Sequence, residues 1–418
     1  MSRRTLTLWG WFLAAHALVI VLGWTLPSQP MGDVYNVYEP WSSQALTGGP
    51  IVGVTEPWVY PQLALVPMIA AWAFAWIAGY TFGWAVLITL LNGLVFALIV
   101  HGGKAPWRAR AALTWLAFIA CLGPVGMFRI DAVTVPLAII ALLLAFRVPT
   151  VSSALLTAGA WIKIWPAALV GALVVARRGA RVRVVAAALG VTVVVIATLF
   201  ALGGAGNVFG FLSSQFGRGL QVESTAATPF TWLAALHVGG FHIAYNADII
   251  TFEVTGPGVT VVAALLTPLL AIVALAVLAL GAWKSVRGAH LVQLLPPLAL
   301  ALVLVLIVTN KVGSPQFLDW IIAPFVLWAA VDGTTLRSGL RLGGAALLLT
   351  QLIYPIIYDL IWSAHPLGIL VLSVRNVLLV TLLVWSVRRV VRVPVRGRHE
   401  RAPVTLASSR PPRPRSAG

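Results

Sequence analysis

Apolar runs long enough to cross a membrane recur from one end of this chain to the other, and no other feature restricts its folding as strongly. Stretches such as "LWGWFLAAHALVIVLGW", "VTVVAALLTPLLAIVALAVLALGAW" and "LVQLLPPLALALVLVLIV" come close to or exceed the roughly 20 residues a helix needs to traverse hydrocarbon. With 60% of its 418 residues hydrophobic and only 9% charged, the chain has no room for a water-soluble domain of useful size. The expected fold is therefore an all-α polytopic membrane protein with roughly twelve spans, within a range of about 10 to 13. The spans fall near 5–25, 61–80, 82–100, 111–128, 131–147, 151–176, 184–205, 258–282, 290–308, 317–332, 342–360 and 366–387. Residues 1–387 then form a single transmembrane domain, and the Arg- and Pro-rich segment 388–418 is a basic tail expected to be disordered.

Charge gives the expected orientation. Lys and Arg number 28 against 11 acids, a formal charge of +17. In a soluble protein this excess would point to nucleic acid. Here the cations gather between apolar runs and in the tail, where they mark the cytoplasmic side, so no nucleic-acid partner is expected. The apolar run after Arg3 and Arg4 is too long for a cleaved signal core and reads as a retained first span. An even number of spans puts both termini in the cytoplasm and residues 26–60 and 206–257 outside, in a plasma membrane. One linker disobeys: "HGGKAPWRAR", residues 101–110, lands outside with three cations. Either it touches anionic lipid or substrate there, or a segment between 57 and 150 is re-entrant. Cys121 lies in an apolar run and supports no disulfide framework.

Polar residues in such a chain are costly and mark interior cavities or sites. "GDVYNVYEPW" places Asp33, Tyr35 and Glu39 just after the first span, and "FRID" places Arg129 and Asp131 between two spans. "WIKIWP" sets Lys163 inside an apolar run, expected in mid-span; a lysine there either snorkels or meets a phosphate as a point charge. "TNKVGSPQFLDW" carries Lys311, Ser314 and Gln316 at the mouth of a late span, and "SSQFGRGLQVES" groups Gln215, Arg218, Gln221 and Glu223 beside aromatics, the makings of a sugar or phosphate site. "QLIYPIIYDLIW", with Tyr354, Tyr358 and Asp359, reads as an interface anchor.

The chain contains no GxxxxGK[ST] loop and no HExxH motif, which argues against a nucleotide-driven pump and a zinc protease. Two classes stay open: a lipid-linked transferase, and a secondary transporter or flippase using the same charges as relays. A transferase needs a base beside an acceptor hydroxyl and cations beside a departing phosphate. Asp33 suits the first role; Lys163, Arg218 or Lys311 suit the second.

Taken in order, "GDVYNVYEPW", "EPWVYPQLALVP", "FRIDAVTVPLAIIALLLAF", "LLTAGAWIKIWPAALV", "SSQFGRGLQVES" and "NKVGSPQFLDWIIAP" resemble the GT-C integral-membrane glycosyltransferases, specifically family 87, from about residue 30 to about residue 330. That resemblance implies an inverting hexosyltransferase, most often a mannosyltransferase, acting on the extracytoplasmic face. It implies a polyprenyl-phosphate sugar as donor and an envelope glycolipid or glycan as acceptor. By the same resemblance Asp33 is the general base; Glu39, an acid additional to the relatives' pattern, and Asp131 are candidate second acids read from this sequence itself. The resemblance also implies that Lys163, Ser314 and Gln316 line the donor region; the residues themselves add Arg129, Arg218 and Lys311 as candidates there, and Tyr35, Gln215, Gln221 and Glu223 as a candidate acceptor or loop site. The outer loops offer no compact carboxylate pair, so neither a metal nor a cofactor is expected.

Overall fold

The structure is a computed structural model that describes residues 2–101, 105–247, 249–333 and 335–395, without the side chains of residues 214–216. The chain is an all-α polytopic membrane protein. Eight of its described helices are long and apolar enough to cross a membrane: those beginning at Arg3, Tyr80, Pro106, Arg178, Val259, Leu291, Arg337 and Pro366. Burial sorts them. In Leu291–Val308, 72% of the apolar window is buried, against 17% in Arg178–Ala201 and in Val259–Val286. Helices apolar on every side fit either a protein core or a lipid face, and here Leu291–Val308 is the central post while the other two form outer walls.

One end of the bundle collects the basic linkers. Arg108 donates to the carbonyl of Ile99 at 2.6 Å and Arg110 to Ala329 at 3.2 Å. Arg178 reaches the carbonyl of Val286 (3.2 Å), Arg181 that of Val174 (2.9 Å) and Lys284 that of Val393 (2.9 Å). These carbonyls are at or next to helix C-termini, where the last turns have no partners of their own and the helix dipole favours a cation. Capping and charge thus agree in drawing the cations to this end. Residues 101 and 105–110 lie here with the other basic linkers, which corrects the expectation that this linker stands alone on the opposite side.

Four of the twelve expected spans, 61–80, 131–147, 151–176 and 317–332, are helices shorter than the eight above; the first and third turn back within the bundle, and this removes the anomaly. Over Gln62–Ala78 the helix is broken into short turns, and both its neighbourhoods are at the other end. Tyr80 Oη donates to the carbonyl of Met68 at 2.8 Å, Trp72 Nε1 donates to Ser42 Oγ at 2.9 Å, and Leu63 N donates to the carbonyl of Trp161 at 2.9 Å. The span expected over 151–176 is a hairpin of two helices, Pro149–Ala160 and Pro166–Ala176. Ser153 Oγ, near the start of the first, bonds the carbonyl of Val184, while Val174, near the end of the second, bonds Arg181. Both ends therefore sit beside the start of the helix Arg181–Ala201. At 1.5 Å per residue each arm is about 17 Å long, short of a crossing.

Residues 202–257 also depart from an all-helical reading. They carry a small antiparallel sheet of β1 (Leu220–Gln221), β2 (His242–Asn246) and β3 (Thr251–Thr255) in the order β1-β3-β2. Tyr245 pairs with Phe252 and Leu220 with Val254. Leu220, Val222 and Val254 form a second core with Ile353, Ile361 and Leu372, so the sheet roofs the bundle at the end away from the basic linkers.

Candidate active site

At the roofed end the chain brings together polar groups from seven separate segments, those holding Asp33, Tyr60, Arg129, Lys163, Arg218, Lys311 and Tyr354. Asp33 opens a π-helical turn, Val34–Tyr38, a helix irregularity common at functional sites. Tyr38 closes that turn inward: its hydroxyl accepts the amide of Ile130 at 2.9 Å and its ring packs on Trp84. This bond fixes the Asp33 turn to the "FRID" segment. The helix Pro106–Leu122 stops at Gly123, whose φ of +64° suits a residue without Cβ, and the chain re-enters as Asp131–Leu144 with the acid in the first turn.

Arg129 binds what lies above it. Its Nη1 is 3.4 Å from the Asp33 carboxylate and donates to the carbonyl of Pro30 at 3.2 Å; its Nη2 donates to Tyr354 Oη at 3.1 Å. Tyr354 in turn donates to the carbonyl of Ser28 at 3.1 Å. The expectation that Tyr354 is only an interface anchor is corrected: it helps hold the guanidinium that faces Asp33. Within the pair, Arg129 is 9% exposed and Asp33 35%. Asp33 is thus an oriented, ion-paired carboxylate that solvent or substrate can reach.

Asp131 is its enclosed counterpart. It is wholly buried, with Lys163 Nζ 3.6 Å from Oδ2 and Trp320 Nε1 donating to Oδ1 at 2.6 Å. Trp320 stacks on Trp165 with centroids 5.9 Å apart, and Trp165 donates to Thr134 at 2.9 Å. Lys163 is not in mid-span. It sits in the break between the two hairpin helices, at the tip, where Trp161–Trp165 leaves helical geometry ahead of Pro166. Pro166 takes the first position of the second arm, where its fixed φ suits a helix start and its missing amide would have had no partner within the helix, so "KIWP" marks where the second arm begins. The lysine also lies over the ring of Tyr60, 4.5 Å from its centroid.

Tyr60 links this pair to the loop cations. It is within electrostatic reach of Lys163, Asp33 and Asp131, and Arg218 in turn feels Tyr60 and Glu253. Arg218 Nε is buried without a hydrogen-bond partner, and burial holds the guanidinium below its usual range. The Lys311 ammonium is likewise lowered, by burial first and then by the positive charge of Arg218. Gln221 joins the two loops: its amide donates to the carbonyl of Lys311 and its Oε1 accepts from Gly313 N, both at 3.0 Å. A Cβ on Gly313 would stand 2.2 Å from Ser224 N, so only glycine permits the 309–316 loop to lie this close to residues 221–224.

The remaining sequence-selected residues distribute as follows. Glu223 is buried on Arg375 of the last helix, which donates to its carbonyl at 2.9 Å and lies 3.5 Å from its carboxylate. Burial raises the Glu223 carboxyl to about 7 against the opposing pull of Arg375. It therefore anchors the loop and does not line an open acceptor site. Gln316 is buried with Oε1 unpartnered, and Ser314 precedes the turn Pro315–Ile321 and caps it with its carbonyl. Tyr35 packs on the main core. Glu39 lies near Tyr80 and makes no ion pair among the described residues. The side chain of Gln215 lies outside the described residues.

Sequence reasoning passed over Tyr60, Asp319, Trp320 and Arg375. Asp319 stood in plain view inside "SPQFLDW", and an acid within an apolar run is itself a signal. It is 1% exposed, with Oδ2 unpartnered, and within electrostatic reach of Asp131. No family model matches the sequence, and neither does any curated protein. Fold and site together define a polytopic helical membrane protein with a polar site at one end of its bundle, built from the accessible carboxylate of Asp33, the enclosed carboxylates of Asp131 and Asp319, and four nearby cations.

Proposed function

We propose that this chain is a GT-C-type glycosyltransferase of the plasma membrane, acting on the extracytoplasmic face with both termini in the cytoplasm. It transfers a hexose, most simply mannose, from a polyprenyl-phosphate sugar to a hydroxyl of an envelope glycolipid or glycan. The observation that carries this reading is the pairing of one reachable carboxylate, Asp33 on Arg129, with the cations Lys163 and Arg218 beside Tyr60 and Lys311 next to Arg218. That is the charge arrangement a phosphate-leaving transfer requires.

In the reaction Asp33 accepts the acceptor's hydroxyl proton as that oxygen attacks the anomeric carbon. The bond from that carbon to the phosphate oxygen breaks, the configuration inverts, and the polyprenyl phosphate leaves with the electron pair. Cations fixed in place before the reaction oppose the charge that grows on the departing oxygen. Arg129 keeps Asp33 aimed. The basic linkers collected at the opposite end of the bundle support an outward-facing site through the positive-inside rule.

The test is sugar transfer by purified protein in detergent from polyprenyl-phosphate mannose, where no gradient exists to drive a transporter. Wild type is expected to turn over, and Asp33→Asn to lose at least about a hundredfold in rate, the contribution of a general base, while still binding donor. Full transfer by Asp33→Asn would remove Asp33 from the mechanism, and no transfer by wild type from any lipid-phosphate sugar would favour the transporter reading.

A further inference from the structure

We infer that the basic end of the bundle carries a specific site for an anionic glycerophospholipid, in the groove between the helices Arg337–Gln351 and Pro366–Arg392. The groove has a volume of about 350 Å³, with walls that include Leu342, Val380, Val384 and Trp385 and a rim of Arg388, Arg389 and Arg392. It lies at the opposite end from the candidate active site and does not depend on how that site is read.

Two stripes on the last helix build it. Val380, Val384, Arg388 and Arg392 follow one another at intervals of four, as do Thr381, Trp385 and Arg389, so each stripe runs down one helix face. Along both, the residues change from apolar to cationic in the final turns, where the helix reaches the basic end. From Thr381 to Arg392 the rise is about 16 Å, close to half of the ~30 Å hydrocarbon thickness. An acyl chain would lie along the apolar part, and its phosphate would arrive at the level of the arginines.

The rim is preorganised and its charge is available. Gly339 lets the Trp385 ring lie directly against the facing helix, since a Cβ there would meet the ring at 2.4 Å. Arg389 lies over Trp385, 5.1 Å from its centroid, and donates to the carbonyl of Thr335 at 3.1 Å, which fixes the floor of the groove. Arg388 and Arg392 are exposed and form no hydrogen bond or ion pair with the described residues. Arg337 and Arg341 are exposed near the start of the facing helix and add to the positive charge of this end. Basic pockets between transmembrane helices bind lipid head groups in this way, and a zwitterionic head group would bring its own cation into the same field.

The test is native mass spectrometry of the full-length protein, titrated with phosphatidylglycerol and with phosphatidylcholine of the same acyl chains. Wild type is expected to retain phosphatidylglycerol at least tenfold more tightly. Arg388→Ala/Arg392→Ala is expected to abolish that preference and leave phosphatidylcholine binding unchanged. Val384→Trp, which fills the apolar wall and touches no charge, is expected to weaken phosphatidylglycerol binding at least tenfold and keeps the proposal testable if the double variant does not fold. Equal retention of the two lipids by wild type, or wild-type affinity for phosphatidylglycerol in either variant, would overturn the site. Displacement of phosphatidylglycerol by an equimolar amount of glycerol phosphate would overturn the lipid assignment.

Discussion

Replacing Lys163 with Met tests the architecture of the site most directly, because it removes one charge at nearly constant volume. In the folded chain Asp131 is wholly buried and its Oδ2 has no hydrogen-bond partner, so the ammonium 3.6 Å away is the group that compensates that oxygen. Removing one partner of a buried pair costs about 3–5 kcal/mol. Two features pull the expectation toward the lower end: the Trp320 N–H on Oδ1 at 2.6 Å, and the position of Asp131 in the first turn of its helix, where the dipole contributes up to about 2 kcal/mol. Loss of the cation–π contact with Tyr60 adds about 0.5–2 kcal/mol of destabilisation. The net expectation for Lys163→Met is a loss of about 3 kcal/mol. Asp131→Asn/Lys163→Met should then lose less than the two single variants together, by about 2 kcal/mol, as expected for residues in direct contact. Reversible unfolding in mixed micelles, titrated by the mole fraction of a denaturing detergent, measures all four proteins of the cycle. Effects that add to within about 0.5 kcal/mol would show that the two groups are uncoupled and would refute the reasoning.

Other outcomes follow from particular contacts. The Glu223 carboxyl is raised to about 7 by burial, so the folded state holds its proton more tightly than the unfolded chain does. The stability it contributes is complete below its ordinary range and is lost as pH rises through 7; thermal unfolding followed against pH should show this decline in wild type and a flatter profile in Glu223→Gln. Gly313→Ala places a methyl group against the backbone of Glu223 and Ser224 and should cost about 1–3 kcal/mol as overpacking, with a raised KM for the donor because Lys311 moves with its loop. In a Cys121→Ala background, His101→Cys and Gly217→Cys should react with membrane-impermeant reagents from opposite sides of oriented vesicles. Labelling of both from the same side would contradict the two-ended arrangement of the bundle.

The gross character of the protein was legible in its residues. Long apolar runs identify a helical membrane protein because hydrocarbon admits little else, and clustered cations mark one end because both lipid and helix C-termini attract them. Asp33, Arg129, Asp131 and Lys163 each stood out, since a charge in an apolar run is expensive wherever it lies. The sequence could not show which pairs they form. Arg129 reaches back to Asp33 and forward to Tyr354, and Lys163 meets Asp131 only because its apolar run folds as a hairpin. A run of apolar residues reads the same whether it crosses the membrane or doubles back, and here "KIWP" alone marks the difference.

Composition and periodicity, then, determined the solvent this chain folds in and the groups that must find partners there. Tertiary structure alone decided the partners, the two segments that turn back, and the end at which the carboxylates and cations meet. The physical reason is that burial cost is a property of each residue, whereas its compensation depends on a second residue often a hundred or more positions away.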